Sequence, residues 1–337
     1  MKAVALTRYL PIDDPNALLD VELPRPEAHG HDLRVRVEAV SINPVDAKVR
    51  APKAQVENTP KVLGYDAAGV VEAVGEAVTL FKPGDAVFYA GDVTRPGTNA
   101  EFHLVDERIV GPKPRTLDFA HAACVPLTAL TAWELLFDRF RFDPDGASAG
   151  RSVLMVAGAG GLGSIAIQLA KRAGLRVIAT ASRPETVAWC RTMGADDVID
   201  HRQPLQAQLQ ALGLAHVDAI GSFSGPEPYW QQYADVIAPQ GMIGILTTLQ
   251  NPLDLNLLKN KSASVHWEFM FARAMFATPD QVRQHEILTR VAQLFDAGEL
   301  RSTLTDTLRP IDAANLREAH RRIESGGTIG KIALAGW

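Results

Sequence analysis

Six consecutive residues, Gly158-Ala159-Gly160-Gly161-Leu162-Gly163, join the apolar segment Ser152 to Ala157 directly to a helix-like stretch, Ser164 to Arg172. Strand, glycine turn and helix, in that order, are what a dinucleotide pyrophosphate needs. Glycine permits the tight turn, lets backbone approach the phosphates and lets strand pack closely on helix, while the helix N-terminus offers unpaired N–H groups. Gly158, Gly160, Gly161, Leu162 and Gly163 are therefore expected to hold a dinucleotide. The choice of cofactor falls about 20 residues further on, at the end of the next strand, where NAD enzymes carry an acid. Thr180-Ala181-Ser182-Arg183 has none. Ser182 and Arg183 can bond and neutralise a 2′-phosphate, and Lys171 at the end of the preceding helix can add charge, so NADPH is the expected cofactor. The bland alternative leaves Arg183 facing solvent beside Pro184. Ser222-Phe223-Ser224-Gly225 and Leu246-Thr247-Thr248 each follow an apolar strand, where ligands sit in doubly wound sheets. Phe223, Ser224, Leu246 and Thr247 join the expected cofactor contacts.

The elements that must position these residues fall into two kinds. Leu33 to Val40 alternates with period two, Gly69 to Gly75 is an apolar run bounded by glycines, and the turn Lys82-Pro83-Gly84-Asp85 leads into Ala86 to Tyr89. That first third reads as an antiparallel, barrel-like region. From about Cys124 helix and strand alternate: Leu127 to Phe137 helical, the glycine turn, Arg176 to Thr180 a strand, Glu185 to Met193 helical, then strands at Asp197 to Ile199, Val217 to Ile220 and Met242 to Leu246. Such βαβ units imply a doubly wound parallel sheet. Two helical stretches, Gln281 to Ala297 and Ala313 to Glu324, and a final strand Lys331 to Leu334 follow with no obvious linker, and are expected to return to the first domain.

Composition narrows the partners. The chain of 337 residues is 47% hydrophobic, enough for two domains, and its net charge of -5 has no basic excess to attract nucleic acid or a membrane surface. Two cysteines, Cys124 and Cys190, are too few for a disulfide framework or a four-cysteine zinc lobe. No apolar stretch is long enough to span a bilayer, and the first residues read as a strand, so a cytoplasmic protein acting on small molecules is expected.

Several ordered blocks resemble the medium-chain dehydrogenase/reductase superfamily, most closely its quinone and enone oxidoreductases and zinc-type alcohol dehydrogenase-like proteins. They are Ser41 to Lys48 (SINPVDAK), Gly64 to Val71 (GYDAAGVV), Phe81 to Val87 (FKPGDAV), Pro126 to Ala132 (PLTALTA), and the glycine turn running into Gln168 to Lys171 (QLAK). The resemblance spans essentially the whole chain. It implies an α/β protein with a GroES-like antiparallel β-barrel catalytic domain (1–123 and 266–337), a Rossmann doubly wound domain (124–265), a cleft between them, and a homodimer.

The departures decide the expected chemistry. Where zinc alcohol dehydrogenases hold their metal with cysteine, histidine and cysteine, this chain has Asn43, Tyr65 and approximately Leu127, none an ordinary zinc ligand. Asp66, at the family glutamate, cannot build a site alone, and no metal is expected. Without a Lewis acid, the natural reaction is hydride transfer from NADPH to a quinone or an α,β-unsaturated carbonyl, with the protein stabilising the oxygen on which charge develops. By the resemblance Lys48 is the first candidate donor, against the common fate of a surface lysine. Tyr65 either donates its hydroxyl or packs. Asn43 either bonds ligand or closes an Asx turn before Pro44. Asp46 is read as bonding local backbone rather than as an acid or base. Thr128 and Thr131 match positions near the nicotinamide, although helical threonines often bond their own backbone. The aromatic run His266 to Phe271 either walls the substrate pocket or is interface or core. Alcohol or aldehyde redox chemistry and a non-catalytic NADPH-binding sensor stay open as rivals.

Overall fold

Alternation of apolar and polar side chains makes Asp32–Ser41 a strand whose Leu33, Val35, Val37 and Ala39 are buried on one face. The computed structural model describes residues 1–337 and divides them into two units, 1–130 with 271–337, and 131–270. The division at 130 falls inside the helix Pro126–Trp133, a few residues beyond the expected boundary.

In the first unit Asp32–Ser41 is central to a sheet whose strands run in the order Leu304–Leu308, Lys331–Ala335, Asp32–Ser41, Ala67–Val74, Ala86–Tyr89 and Val110–Pro112, with Phe102–Asp106 also paired to Asp32–Ser41. All pairings are antiparallel except that of Leu304–Leu308 with Lys331–Ala335. A second sheet carries Leu19–Glu22, Lys2–Tyr9 and Lys53–Val62. The return of the C-terminal residues is fixed by the register that pairs Ala333 with Ser41 and Leu334 with Val40. Pro44–Arg50 forms a short helix directly after Asp32–Ser41, with Asn43 as its N-cap and Pro44 in its first turn.

The second unit is a parallel sheet in the order Asp197–Ile199, Arg176–Thr180, Ser152–Val156, Val217–Ser222, Ile237–Ile245, Ser264–Trp267. Numbered along the chain this is 3-2-1-4-5-6, the doubly wound order with its switch point between the first and fourth strands. Buried on both faces, Ser152–Val156 is apolar after its first residue, and Val217–Ser222 is apolar apart from Asp218 and Ser222. The helical stretch expected over 127–137 is an α-helix only to Trp133; residues 134–139 form a π-helical turn, closed by Phe140 N–H donating to Leu135 C=O at 2.9 Å. The edge strand Ser264–Trp267 takes up the start of the aromatic run. Trp267 and Phe269 are exposed, while Met270 and Phe271 are buried. No helix is long and apolar enough to cross a membrane.

Candidate functional site

Register fixes what meets at the carboxyl edge of the parallel sheet. Val156 pairs with Ser222, and Ser222 with Ile245, so the glycine turn, Phe223 and Leu246 leave three adjacent strands at the same level. Gly158 N–H donates to Thr180 C=O at 3.0 Å, tying the turn to the neighbouring strand as well. At Gly163 a Cβ would stand 2.3 Å from the Gly158 carbonyl oxygen, so only glycine lets the helix Gly161–Arg172 start this close to the strand. Gly160 is the opposite case. It caps that helix in extended conformation, and the nearest atom to a Cβ there is 3.8 Å away, leaving the room in which a phosphate would meet backbone N–H groups. On the same sheet edge the Thr247 hydroxyl is buried without a hydrogen-bond partner. A roomy glycine cradle at a helix N-terminus and an orphaned hydroxyl both fit a dinucleotide cofactor.

Ser182 and Arg183 follow Arg176–Thr180 at this edge. Arg183 caps the helix Pro184–Thr192, and its exposed guanidinium lies 3.0 Å from Glu185. Arg202, which sequence reasoning missed, donates to the Ser182 carbonyl at 2.8 Å and pairs with Asp200. The Nδ1 of His201 next to it is buried and unbonded. These residues follow Asp197–Ile199, and an arginine just beyond a neighbouring strand end was the available signal. Lys171 is not with them. It bonds Asp196 at 2.6 Å, and Asp196 accepts from Val177 N–H at the start of the strand that Ser182 follows, so Lys171 lies at the opposite, amino edge of the sheet. The last turn of a helix that begins at the carboxyl edge must end at the amino edge, which is why chain proximity misleads.

A second constellation belongs to the first unit. Lys331, almost fully buried, donates from Nζ to Ile42 C=O at 2.8 Å, to Asn43 Oδ1 at 2.5 Å and to Asp66 Oδ2 at 3.1 Å, using all three ammonium protons. Asn43 Nδ2 donates to Asp66 Oδ2 at 2.7 Å, and Leu127 N–H donates to Asp66 Oδ1 at 2.8 Å. Burial pushes the Asp66 carboxyl up, and these three donors pull it back. Asn43 N–H donates to Asp46 Oδ2 at 2.8 Å, the capping geometry that sets the 44–50 helix. Tyr65 is buried against Phe271, ring centroids 5.5 Å apart and edge-on, and burial followed by the Asp46 charge raises its hydroxyl above the ordinary range. In the sequence Lys331 stands only as the start of the last strand. A lysine opening a run of four buried apolar residues was its signal.

The other expected residues divide. Lys48 is exposed on the 44–50 helix and joins none of these bonds. Thr128 is buried and its hydroxyl donates to Val125 C=O at 3.1 Å, the local alternative. Thr131 is buried on the same helix, beyond the unit boundary. Phe223 and Ser224 are half-buried, and Ser224 C=O accepts from the Ser222 hydroxyl. Both cysteines are buried and free, their thiols pushed up to about 12 at Cys124 and about 11 at Cys190.

This architecture has relatives. The alcohol dehydrogenase GroES-like domain family matches residues 29–115, and the zinc-binding dehydrogenase family residues 161–283. A zinc-type alcohol dehydrogenase-like protein of Staphylococcus aureus is 40% identical over 335 residues, 99% of each chain. Among solved structures, a Rhizobium etli protein provisionally classed as a zinc-dependent alcohol dehydrogenase superposes with a TM-score of 0.95 at 52% identity, covering 100% of this chain and 98% of the other. The quinone oxidoreductase of Coxiella burnetii gives 0.81 at 27% identity, covering 100% and 99%. The chain belongs to the medium-chain dehydrogenase/reductase superfamily, among the zinc-type alcohol dehydrogenase-like proteins. It is a member of an oxidoreductase family, and a solved structure similar to it at 28% identity, with a TM-score of 0.82, is an NAD-dependent alcohol dehydrogenase.

The residues present do not fit the zinc of the family names. Asn43, Tyr65 and Leu127 offer no thiolate, imidazole or carboxylate, and no three His, Cys, Asp or Glu side chains gather anywhere in the structure as a metal-ligating group. Asp66 already holds the Lys331 ammonium. A fixed organic cation sits where the donor set would have to close on a metal.

Proposed function

We propose that this protein reduces quinones or α,β-unsaturated carbonyl compounds with NADPH, by hydride transfer without a metal. One observation carries the reading: the polar constellation of Asn43, Asp66 and Lys331 is complete as a salt-bridged network, with Tyr65 as the hydroxyl beside it and no metal donor set. A simple alcohol or aldehyde depends more on a Lewis acid or a strong proton donor to polarise its oxygen, whereas a conjugated acceptor is electrophilic with less help. When bound, NADPH supplies the hydride. The chain's own contribution is to hold and to stabilise. The Gly158 to Gly163 turn and the N–H groups of the 161–172 helix receive the pyrophosphate, with Thr131, Phe223, Ser224, Leu246 and Thr247 lining the rest. Ser182, Arg183 and Arg202 receive the 2′-phosphate. Arg183 and Arg202 would exchange surface partners, Glu185 and Asp200, for a doubly charged phosphate, and surface ion pairs contribute little. At the acceptor, the Tyr65 hydroxyl and Lys48 donate to the oxygen on which charge develops, and Asn43 orients the ligand. The protein acts in the cytoplasm as a homodimer on small molecules.

The test is NADPH and NADH oxidation against a panel of quinones, enones, alcohols and aldehydes, with a chelator present. Turnover of conjugated acceptors, faster with NADPH and indifferent to the chelator, is expected. Tight NADPH binding with no turnover across the panel would favour the sensor, and chelator-sensitive turnover of simple aldehydes would favour the alcohol dehydrogenase rival.

A further inference from the structure

The first unit contains a cavity of about 140 Å³ that shares no residue with the constellation of Asn43, Tyr65, Asp66 and Lys331. Its walls come from the loop that carries Asp92 and Arg95, from the strand Phe102–Asp106 with the turn Glu107–Ile109 after it, and from the short helix Ala272–Met275 with the residues up to Gln281. The strand lies against the beginning of Asp32–Ser41, pairing Asp106 with Asp32, whereas Asn43 follows the end of Asp32–Ser41.

What matters in this lining is what it leaves unbonded. Arg95 gives both Nη groups to Asp32, each at 2.8 Å, and keeps its Nε–H. Arg108 gives Nε and Nη2 to Asp106, at 2.9 and 2.6 Å, and keeps Nη1. Each guanidinium is thus fixed in plane by a carboxylate and has N–H left over. Asp92 spends one oxygen only: Oδ1 accepts from the Thr94 N–H at 2.8 Å and from its hydroxyl at 2.7 Å, and Oδ2 has no bond within the protein. Gln281 is 6% exposed, and while its backbone N–H donates to Thr278 C=O at 3.0 Å, its side-chain amide makes no hydrogen bond in the protein. A buried amide that its own chain leaves unbonded takes its partners from whatever fills the cavity beside it.

We propose that this cavity binds a small zwitterion, an α-amino acid with a compact side chain. The leftover groups carry both signs. Arg95 Nε–H and Arg108 Nη1 receive the carboxylate, Asp92 Oδ2 receives the ammonium, and Gln281, which both donates and accepts, bonds either end. Neither half suffices alone. A simple carboxylate would meet Asp92 as a like charge, and a simple amine would meet two fixed guanidiniums. Against those two cations stand three carboxylates, Asp32, Asp92 and Asp106, and the one in excess calls for the ammonium. Size sets the other limit. A cavity of about 150 Å³ accommodates benzene, so this one admits about six to eight non-hydrogen atoms, the scale of alanine, proline or valine. Leu104, Ile109 and Ala274 supply the apolar wall for the side chain.

Calorimetric titration of the full chain with L-alanine, L-proline, propionate and propylamine reads the site without any turnover. L-alanine or L-proline is expected to bind at a single site with a dissociation constant of about 0.1–1 mM, and propionate and propylamine at least about tenfold more weakly. Asp92→Asn keeps the Oδ1 acceptor for Thr94 and removes the charge. It is expected to weaken L-alanine at least about tenfold and to leave propionate no weaker than in wild type. Gln281→Met keeps the side-chain length without the amide, and is expected to weaken L-alanine and propionate alike. Should Gln281→Met fail to fold, Asp92→Asn, in a loop, carries the test alone. No binding of either amino acid at about 10 mM overturns the site. Propionate or propylamine binding as tightly as L-alanine overturns the zwitterion, and L-alanine affinity unchanged in a folded variant of Asp92 or Gln281 overturns the cavity as its place.

Discussion

Replacing Lys331 by methionine keeps the length and apolar stem of the side chain and deletes its charge. Three hydrogen bonds go with it, to Ile42 C=O, Asn43 Oδ1 and Asp66 Oδ2, all within buried surroundings. Breaking a buried ion pair from one side leaves the other charge uncompensated and costs about 3–5 kcal/mol, more than the pair itself contributes. Asp66 would keep only Asn43 Nδ2 and Leu127 N–H as donors, so its carboxyl, already pushed up by burial, would rise further. The sign of the pH dependence follows. A carboxyl whose folded pKa is raised destabilises the fold increasingly as pH climbs from the unfolded pKa through the folded one. The loss reaches about 1.4 kcal/mol for every pH unit that separates the two. Urea denaturation of Lys331→Met should therefore show a deficit of about 3–5 kcal/mol near neutrality that shrinks toward acid pH. Adding Asp66→Asn should relieve it by about 2 kcal/mol, because the stranded charge is gone although two acceptors stay unbonded. A deficit below about 1 kcal/mol, or a double variant whose losses simply add, would refute the network as drawn.

Four further outcomes are open to measurement. Gly163→Ala must move backbone, since its Cβ would lie 2.3 Å from Gly158 C=O, and should lose about 1–3 kcal/mol of stability together with NADPH binding. Gly160→Ala, with nothing nearer than 3.8 Å, should keep stability within about 0.5 kcal/mol yet lose at least about tenfold in NADPH affinity by titration; equal stability losses would dissolve the distinction. Arg183→Ala and Arg202→Ala should each weaken NADPH by roughly tenfold while sparing NADH, and Lys171→Ala should spare both; a Lys171 effect confined to NADPH would contradict the amino-edge placement. Lys48→Ala is expected to lower turnover with NADPH affinity unchanged, and an unaltered rate would remove Lys48 from the donors.

What the residues disclose in advance depends on how locally each feature is encoded. The Gly158 to Gly163 turn, the strands Ala86–Tyr89, Arg176–Thr180 and Asp197–Ile199, and the helix Ala313–Glu324 all follow from period and punctuation within a few residues; the three strands and the last helix have the bounds read from the chain, while the helix after the turn starts at Gly161 rather than Ser164. Lys53–Val62 is not legible, because nearly every residue in it is exposed and no apolar alternation marks it as a strand. Lys171 and Arg202 show the same limit at the cofactor edge: distance along a helix runs from one edge of the sheet to the other, so the cation near in sequence is far in space, and the one twenty residues beyond Ser182 reaches its carbonyl.

The polar constellation is the sharper case. From the sequence, Asn43 and Asp66 are residues that fail to bind zinc, which describes them by what is missing. Their positive role depends on Lys331, 288 residues beyond Asn43 and brought in only by the pairing of the last strand with Asp32–Ser41. Once that ammonium is placed, the substitutions at the metal positions become coherent: a side-chain amide accepts from the cation, a carboxylate neutralises it, and a hydroxyl stands beside them, each role needing the residue type found there. Of the carboxylate oxygens in the set, Asp46 Oδ1 alone has no hydrogen bond, because the strand pairing that brings in Lys331 carries its ammonium to Asn43 and Asp66 instead.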